Sequence, residues 1–313
     1  MIQIKTYSEE FEREYWTTAK SKISSSIQSE IIKSCEKFLP SNFFEGIEDE
    51  FKFKVLILSP FEKLSAAEVF INTETTGIKQ EECFDIHEDG STTIKGIYKT
   101  IHDSYELLAN SKLSYSTMRV RIVKNTGLTV CPYCNRDYIN CRAPHVSGAQ
   151  LDHFFSRSVS PLFAICLYNL IPVCGNCNRV KSSSTSVFAS PFDNSIDWGK
   201  DLIFSYTGTN LDDIKITLDS KGYLKTNIDT MRIEEAYQIH GSEVLDLIER
   251  EQMYNSSQKR ELIDVLGPEN LTDNDIKKII FGPEITREAM RTKPLGKMMH
   301  DLHKELKIYS SED

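Results

Sequence analysis

Three observations predict an α+β protein. Apolar residues recur at helical spacing through residues 1–125 and again from Thr230 onward. Between these stretches, residues 128–200 are dominated by Cys, Pro and turn residues and contain two CxxC pairs. Residues 201–227 then alternate apolar and polar side chains, the period of a half-buried strand. The expected organisation is a helical region over 1–127, a metal-rich module over 128–200, and a region over 201–313 that begins as a small antiparallel sheet and ends in helices.

Each element has a local reason. Ser8-Glu-Glu-Phe-Glu offers a capping hydroxyl and an acidic first turn. Apolar spacing through Ile23, Ile27, Ile31 and Ile32 carries that helix towards Pro40. A second helical stretch ends before Pro60. Ile94, Ile97, Tyr98, Ile101, Tyr105 and Leu108 line one side of a third, over 92–108. Ser116 to Lys124 reads as a helix bearing Arg119, Arg121 and Lys124, stopped by Gly127. Within the module, a short helix is expected over Gly175 to Lys181. Leu202 to Tyr206 and Ile214 to Leu218 read as strands, with a third over Tyr223 to Thr226 after the turn Asp219-Ser-Lys-Gly. Ile233, Ala236, Tyr237, Ile239, Val244, Leu245 and Ile248 supply the stripe of the C-terminal helices, and the tail 310–313 is expected to be loose.

The chain has 313 residues, 40% hydrophobic and 27% charged, the mix of a soluble globular protein. No stretch approaches the roughly 18 apolar residues of a membrane span. The opening MIQIKTYSEEFEREYW has no cationic leader before an apolar run, so a cytoplasmic location is expected. Net charge is −9, which argues against a protein that simply coats nucleic acid. Residues 111–200, however, hold ten Lys/Arg against four Asp/Glu, a net +6, leaving −15 on the remainder. A basic island in an acidic chain is a local footprint for a polyanion. The acidic flanks suit a partner surface or a homo-oligomer.

Of the eight Cys, Cys35, Cys83, Cys141 and Cys166 are scattered singly and are expected to be buried or free thiols. His87, His102, His145, His240, His300 and His303 lack metal-ligand spacing and are expected to be structural or on the surface. Asp193 reads as a turn or supporting residue.

The chemistry is concentrated in the module. Cys131-Pro-Tyr-Cys134 and Cys174-Gly-Asn-Cys177 can supply four thiolates to one tetrahedral zinc. A closed four-sulfur site has no open position, so its role is to clamp a segment too short to bury its own core. Between the pairs stands Leu151-Asp152-His153-Phe154. Imidazole, with an ordinary pKa near about 6.5, is suited to taking a proton from water at neutral pH. Asp is a hard oxygen donor for Mg²⁺ or Mn²⁺, and Asn178, beside Cys177, offers a second, neutral oxygen. Taken singly, Asp152-His153 reads as a surface pair, Asn178 as a helix cap and Asn169 as a turn residue. Their order inside a four-cysteine frame is what points to a site.

The run Cys131-x₂-Cys134…Leu151-Asp152-His153-Phe154…Tyr168-Asn169-Leu170-Ile-Pro-Val-Cys174-x₂-Cys177-Asn178-x₂-Lys181 resembles the HNH endonuclease family, in its subgroup with two CxxC knuckles. The likeness covers roughly residues 128–195. It implies a treble-clef-like ββα-metal module in which Asp152 binds the catalytic metal and His153 is the general base. It also implies that Asn169 braces the loop presenting the His, and that Asn178, where many members have His, binds the metal. The implied activity is one-metal hydrolysis of DNA phosphodiesters, with Lys181 and less strongly Arg179 and Arg157 on backbone phosphate. Bacterial members with helical extensions resemble effectors of phage-defence systems, such as the Septu nuclease subunit that works with an ATPase. By that analogy the acidic flanks would meet an ATPase subunit. Two other readings compete: a zinc-stabilised nucleic-acid-binding module that cuts nothing, and an assembly subunit whose nuclease is latent until its partner engages.

Overall fold

The computed structural model describes every residue except 75–77, 79, 114–115, 183, 185, 255, 267–271 and 310–313. The expected loose tail, 310–313, therefore lies outside the described residues.

The first helix, Glu9–Lys22, starts where the Ser8 hydroxyl accepts the Phe11 N–H, with Glu9, Glu10 and Glu12 in its positive first turn. It ends at Ile23, earlier than the sequence suggests. Ser24 is extended, at φ −62° and ψ 151°, and its hydroxyl accepts from Ile27 N–H to cap a new helix, Ser25–Cys35. Isoleucine spacing survives the break because both helices turn an apolar face to one core. Helices Asp49–Ile57 and Phe61–Glu74 flank Pro60. The third expected helix begins four residues late, at Gly96, and runs to Ala109. Before it, Thr92–Ile94 pairs antiparallel with Phe84–Ile86. Thr117 caps the helix Met118–Asn125, and Gly127 follows in the left-handed region at φ 68°.

In the module, Gln150–His153 pairs antiparallel with Leu170–Val173, in the register Asp152 to Ile171 and His153 to Leu170. The helix Gly175–Lys181 follows directly. The order is strand, strand, helix.

Beyond the module, Leu202–Thr207 pairs with Lys215–Ser220 over six residues. The third strand expected at Tyr223 is instead the start of a helix, Tyr223–Met231. Leu224, Ile228 and Met231 face the core at helical spacing, and four residues of alternation were too few to separate the two periods. The expected turn at Asp219-Ser-Lys-Gly is strand end and helix entry. The hairpin closes instead around Gly208, at φ 92°, where a Cβ would stand 2.4 Å from the Asp213 carbonyl oxygen.

One continuous set of buried apolar side chains runs from Met1 and Ile4 through Leu56, Ile101 and Phe163 to Tyr237 and Leu302. Each such side chain contributes about 1.5–3 kcal/mol when fully withdrawn from water. The flanks thus pack onto the module. The Tyr15 hydroxyl donates to Ile165 O at 3.0 Å, and Cys166 Sγ lies 3.3 Å from Leu56 O. Cys35, Cys83 and Cys166 are buried and Cys141 half-buried, all as free thiols. Asp193 Oδ1 accepts the Ser195 N–H and hydroxyl, closing a turn. Among the described residues, no helix is long and apolar enough to cross a membrane.

Candidate metal centre and the adjoining cleft

Each CxxC pair closes a tight turn. Asn135 N–H donates to Cys131 O at 2.7 Å, and Arg136 N–H points at Cys134 Sγ at 3.4 Å. In the second pair, Cys177 N–H points at Cys174 Sγ, also at 3.4 Å. The turns bring all four buried Sγ atoms within 4.8 Å of one another, with Cys134 and Cys174 4.0 Å apart. Zn–S bonds of about 2.3 Å place tetrahedral sulfurs roughly 3.8 Å apart, so this cluster is able to hold zinc. Hydrogen bonds from the other three thiols push the Cys134 thiol well down, while burial pushes Cys131 well up. A bound dication is what would let buried thiols of this kind ionise together.

The first turn is fastened from behind. Asn135 is fully buried in the left-handed region at φ 52°. Its Nδ2 donates to Met290 O at 2.8 Å, and its Oδ1 accepts Lys297 N–H at 2.7 Å. The Tyr237 hydroxyl donates to Cys134 O at 2.6 Å. Asn135 was not singled out in the sequence. Its signal was there: an Asn just past a CxxC turn, where left-handed backbone suits few other side chains.

Asp152 is buried on its strand. The Tyr133 hydroxyl donates to Oδ2 at 2.7 Å, and Lys181 Nζ sits 3.1 Å from Oδ1 and 3.0 Å from Oδ2. Burial pushes the Asp152 carboxyl up, with Lys181 and Tyr133 pulling it back. Lys181 corrects an expectation. It was read as a phosphate contact, yet only 2% of it is exposed, and it also donates to His153 O and Phe154 O, each at 3.2 Å. The cause is helical spacing: Cys177 and Lys181 stand four apart on the buried face of the short helix.

His153 Nε2 lies 3.1 Å from Ala164 O. A carbonyl only accepts, so Nε2 carries the proton and Nδ1 keeps its lone pair. Burial first, then the Arg157 charge, pushes the imidazole pKa from the expected 6.5 down to about 3, so the ring is neutral at ordinary pH but a weaker base than the sequence reading assumes. Tyr105 meets it edge-on at 4.6 Å. Asn169 is fully buried behind this loop. Its Oδ1 accepts Phe155 N–H at 2.7 Å, and its Nδ2 donates to Phe163 O at 2.9 Å, tying down the chain between His153 and Ala164.

Asp152, His153, Asn178, Arg157 and Arg179 line one cleft of about 570 Å³. Asn178 Nδ2 donates to Gln150 Oε1 at 2.7 Å, which commits the amide nitrogen and leaves the oxygen as a donor to a ligand. Three further lining residues, Tyr105, Glu106 and Arg119, come from the N-terminal helices. Sequence reasoning missed them as site residues, and no local pattern marks them, because only tertiary packing brings them there.

No protein-family model, curated protein or solved structure matches the chain.

Proposed function

We propose that this chain is a metal-dependent endonuclease of the HNH type that hydrolyses DNA phosphodiester bonds. The observation that carries the reading is His153, its Nε2 occupied by Ala164 O, in one cleft with Asp152, Asn178 and the three arginines Arg119, Arg157 and Arg179. Zinc on the four cysteines would be structural, fixing Asn178 through its bond to Cys177. His153 Nδ1 takes the proton of the attacking water. Arg157 and Arg179 hold backbone phosphate without reading sequence. Lys181 keeps Asp152 ionised and aimed rather than touching substrate.

A carboxylate and an amide oxygen form the kind of donor set that Mg²⁺ or Mn²⁺ takes, once the Asp152 carboxylate, here closed on Lys181 and Tyr133, turns to the cleft its residue lines. Asp152 and Asn178 would hold that ion, which would neutralise charge developing on the phosphate oxygens. In the wider reading, which rests on the family resemblance, the protein is a cytoplasmic effector of antiphage defence. Its acidic helical flanks would then meet an ATPase subunit or a second copy of the chain.

The test is nicking of supercoiled plasmid with Mg²⁺ or Mn²⁺. Wild type is expected to cut, and His153→Ala, its folding checked by zinc content and circular dichroism, to cut about 10²–10⁴-fold more slowly, the usual worth of a general base. Equal rates in the two proteins would remove His153 from the chemistry. Duplex binding without cutting, alone or with an ATPase partner, would leave only a binding module.

A further inference from the structure

The helix Gly96–Ala109 contributes Tyr105 and Glu106 to the lining of the cleft and carries a charged face that includes Glu106. Lys99, His102, Asp103 and Glu106 fall at positions i, i+3, i+4 and i+7 of that face. Glu106 stands between two arginines. One carboxylate oxygen is 3.9 Å from Arg119 Nη2 and the other 3.9 Å from Arg157 Nη1. The same Arg157 Nη1 donates to His102 Nε2 at 2.7 Å, and His102 faces Asp103. Both arginines and Glu106 line the same cleft as His153 and Asn178.

Two guanidinium groups sharing one carboxylate at the outer limit of ion pairing leave positive charge unmatched. Arg179, at the same mouth, adds to it, with a hydrogen bond to the neutral Asn176 Oδ1 at 3.0 Å. The surplus stands out in a chain of net charge −9. A carboxylate and a phosphodiester both present two equivalent oxygens sharing one negative charge, and the guanidinium fork accepts either.

We propose that Arg119 and Arg157 form a phosphodiester-binding subsite at the cleft mouth, and that Glu106 occupies it until a nucleic-acid strand displaces the carboxylate. The subsite rests on the nuclease reading for the identity of its ligand and extends it to a helix outside the module. Its phosphate is a neighbour of the scissile one, since Arg119 and Arg157 line the same cleft as His153. The N-terminal helices thereby become part of the substrate surface, and Glu106 sets a threshold that weakly bound anions do not cross.

The experiment measures binding of a fluorescent DNA duplex to the full-length His153→Ala protein, by anisotropy across a salt series without added Mg²⁺ or Mn²⁺. On that background Glu106→Gln is expected to tighten binding about threefold or more at low salt, because a competing charge is gone. Arg119→Gln and Arg157→Gln are each expected to weaken it about fivefold and to reduce the slope of log affinity against log salt by about one. All three side chains are a third to a half exposed, so the variants are expected to melt like the parent. Affinity and slope indifferent to Glu106 and Arg119, or no duplex binding by the folded protein at low salt, would overturn the subsite. Failure of the nuclease reading looks different: binding follows the pattern above, yet wild type cuts nothing. His153-dependent cutting with indifferent binding removes the subsite alone.

Discussion

Replacing Cys134 with Ser is expected to cost the protein its zinc and its cleft together. The elements between the CxxC pairs are short: two four-residue strands, followed by a seven-residue helix. Strand pairs and helices of that length are not stable in water on their own. A hydroxyl is a poor substitute for a thiolate ligand, and three sulfurs leave the tetrahedron open. Structural zinc in small domains carries much of their folding free energy, about 10–16 kcal/mol in isolated fingers. Here the continuous apolar core through both flanks retains part of the fold. The expected outcome is therefore partial: zinc content falling from one per chain towards none, and a melting temperature lower by on the order of 10 °C or more. Elemental analysis and thermal unfolding read both quantities. A variant, or a chelator-stripped wild type, that melts like the untreated protein would show that the cluster carries no structural burden.

Lys181→Met is the second large effect. It leaves the Asp152 carboxylate buried with the Tyr133 hydroxyl as its remaining side-chain partner among the described residues. Removing one member of a buried ion pair typically costs about 3–5 kcal/mol, because the other charge stays out of water without its counterion. Asp152 would escape by taking up a proton, since burial already pushes its carboxyl up and Lys181 is a chief restraint. A neutral carboxyl is a poor ligand for a hard cation, so affinity for Mn²⁺ should fall with stability. The double variant Asp152→Asn with Lys181→Met removes both charges and is expected to regain a large part of the loss. Urea unfolding of the single and double variants measures this. A Lys181→Met protein within about 1 kcal/mol of wild type would mean that the pair does not hold the strand to the helix.

The four-cysteine cluster was legible because its signal is local: a CxxC pair declares a turn around a metal, and two such pairs declare one cluster. The Asp-His pair between them is brought to the lining of one cleft. The short helix from Gly175 to Lys181 was legible too, but not which way Lys181 faces. Once Cys177 is taken as a buried ligand, a residue four further along the same helix must also face inward, and that step was available from spacing alone. Ser24 hid a break between two helices because the isoleucine pattern is indifferent to a single capping residue. Tyr223 read as a strand because four residues do not distinguish a period of two from one of 3.6. The placement of Tyr105, Glu106 and Arg119 at the cleft depends on how the N-terminal helices dock, and no pattern near His153 encodes it.

The proposed chemistry needs two ion positions in one small module, one built of sulfur and one of oxygen. Anomalous diffraction from crystals soaked in Mn²⁺, recorded at the zinc and manganese edges, addresses this directly. The expected result is a zinc peak about 2.3 Å from each of the four Sγ atoms and a separate manganese peak in the cleft, against Asp152 and the Asn178 amide oxygen. Four cysteines without zinc, or a cleft that stays empty of manganese while Lys181 remains closed on Asp152, would contradict it.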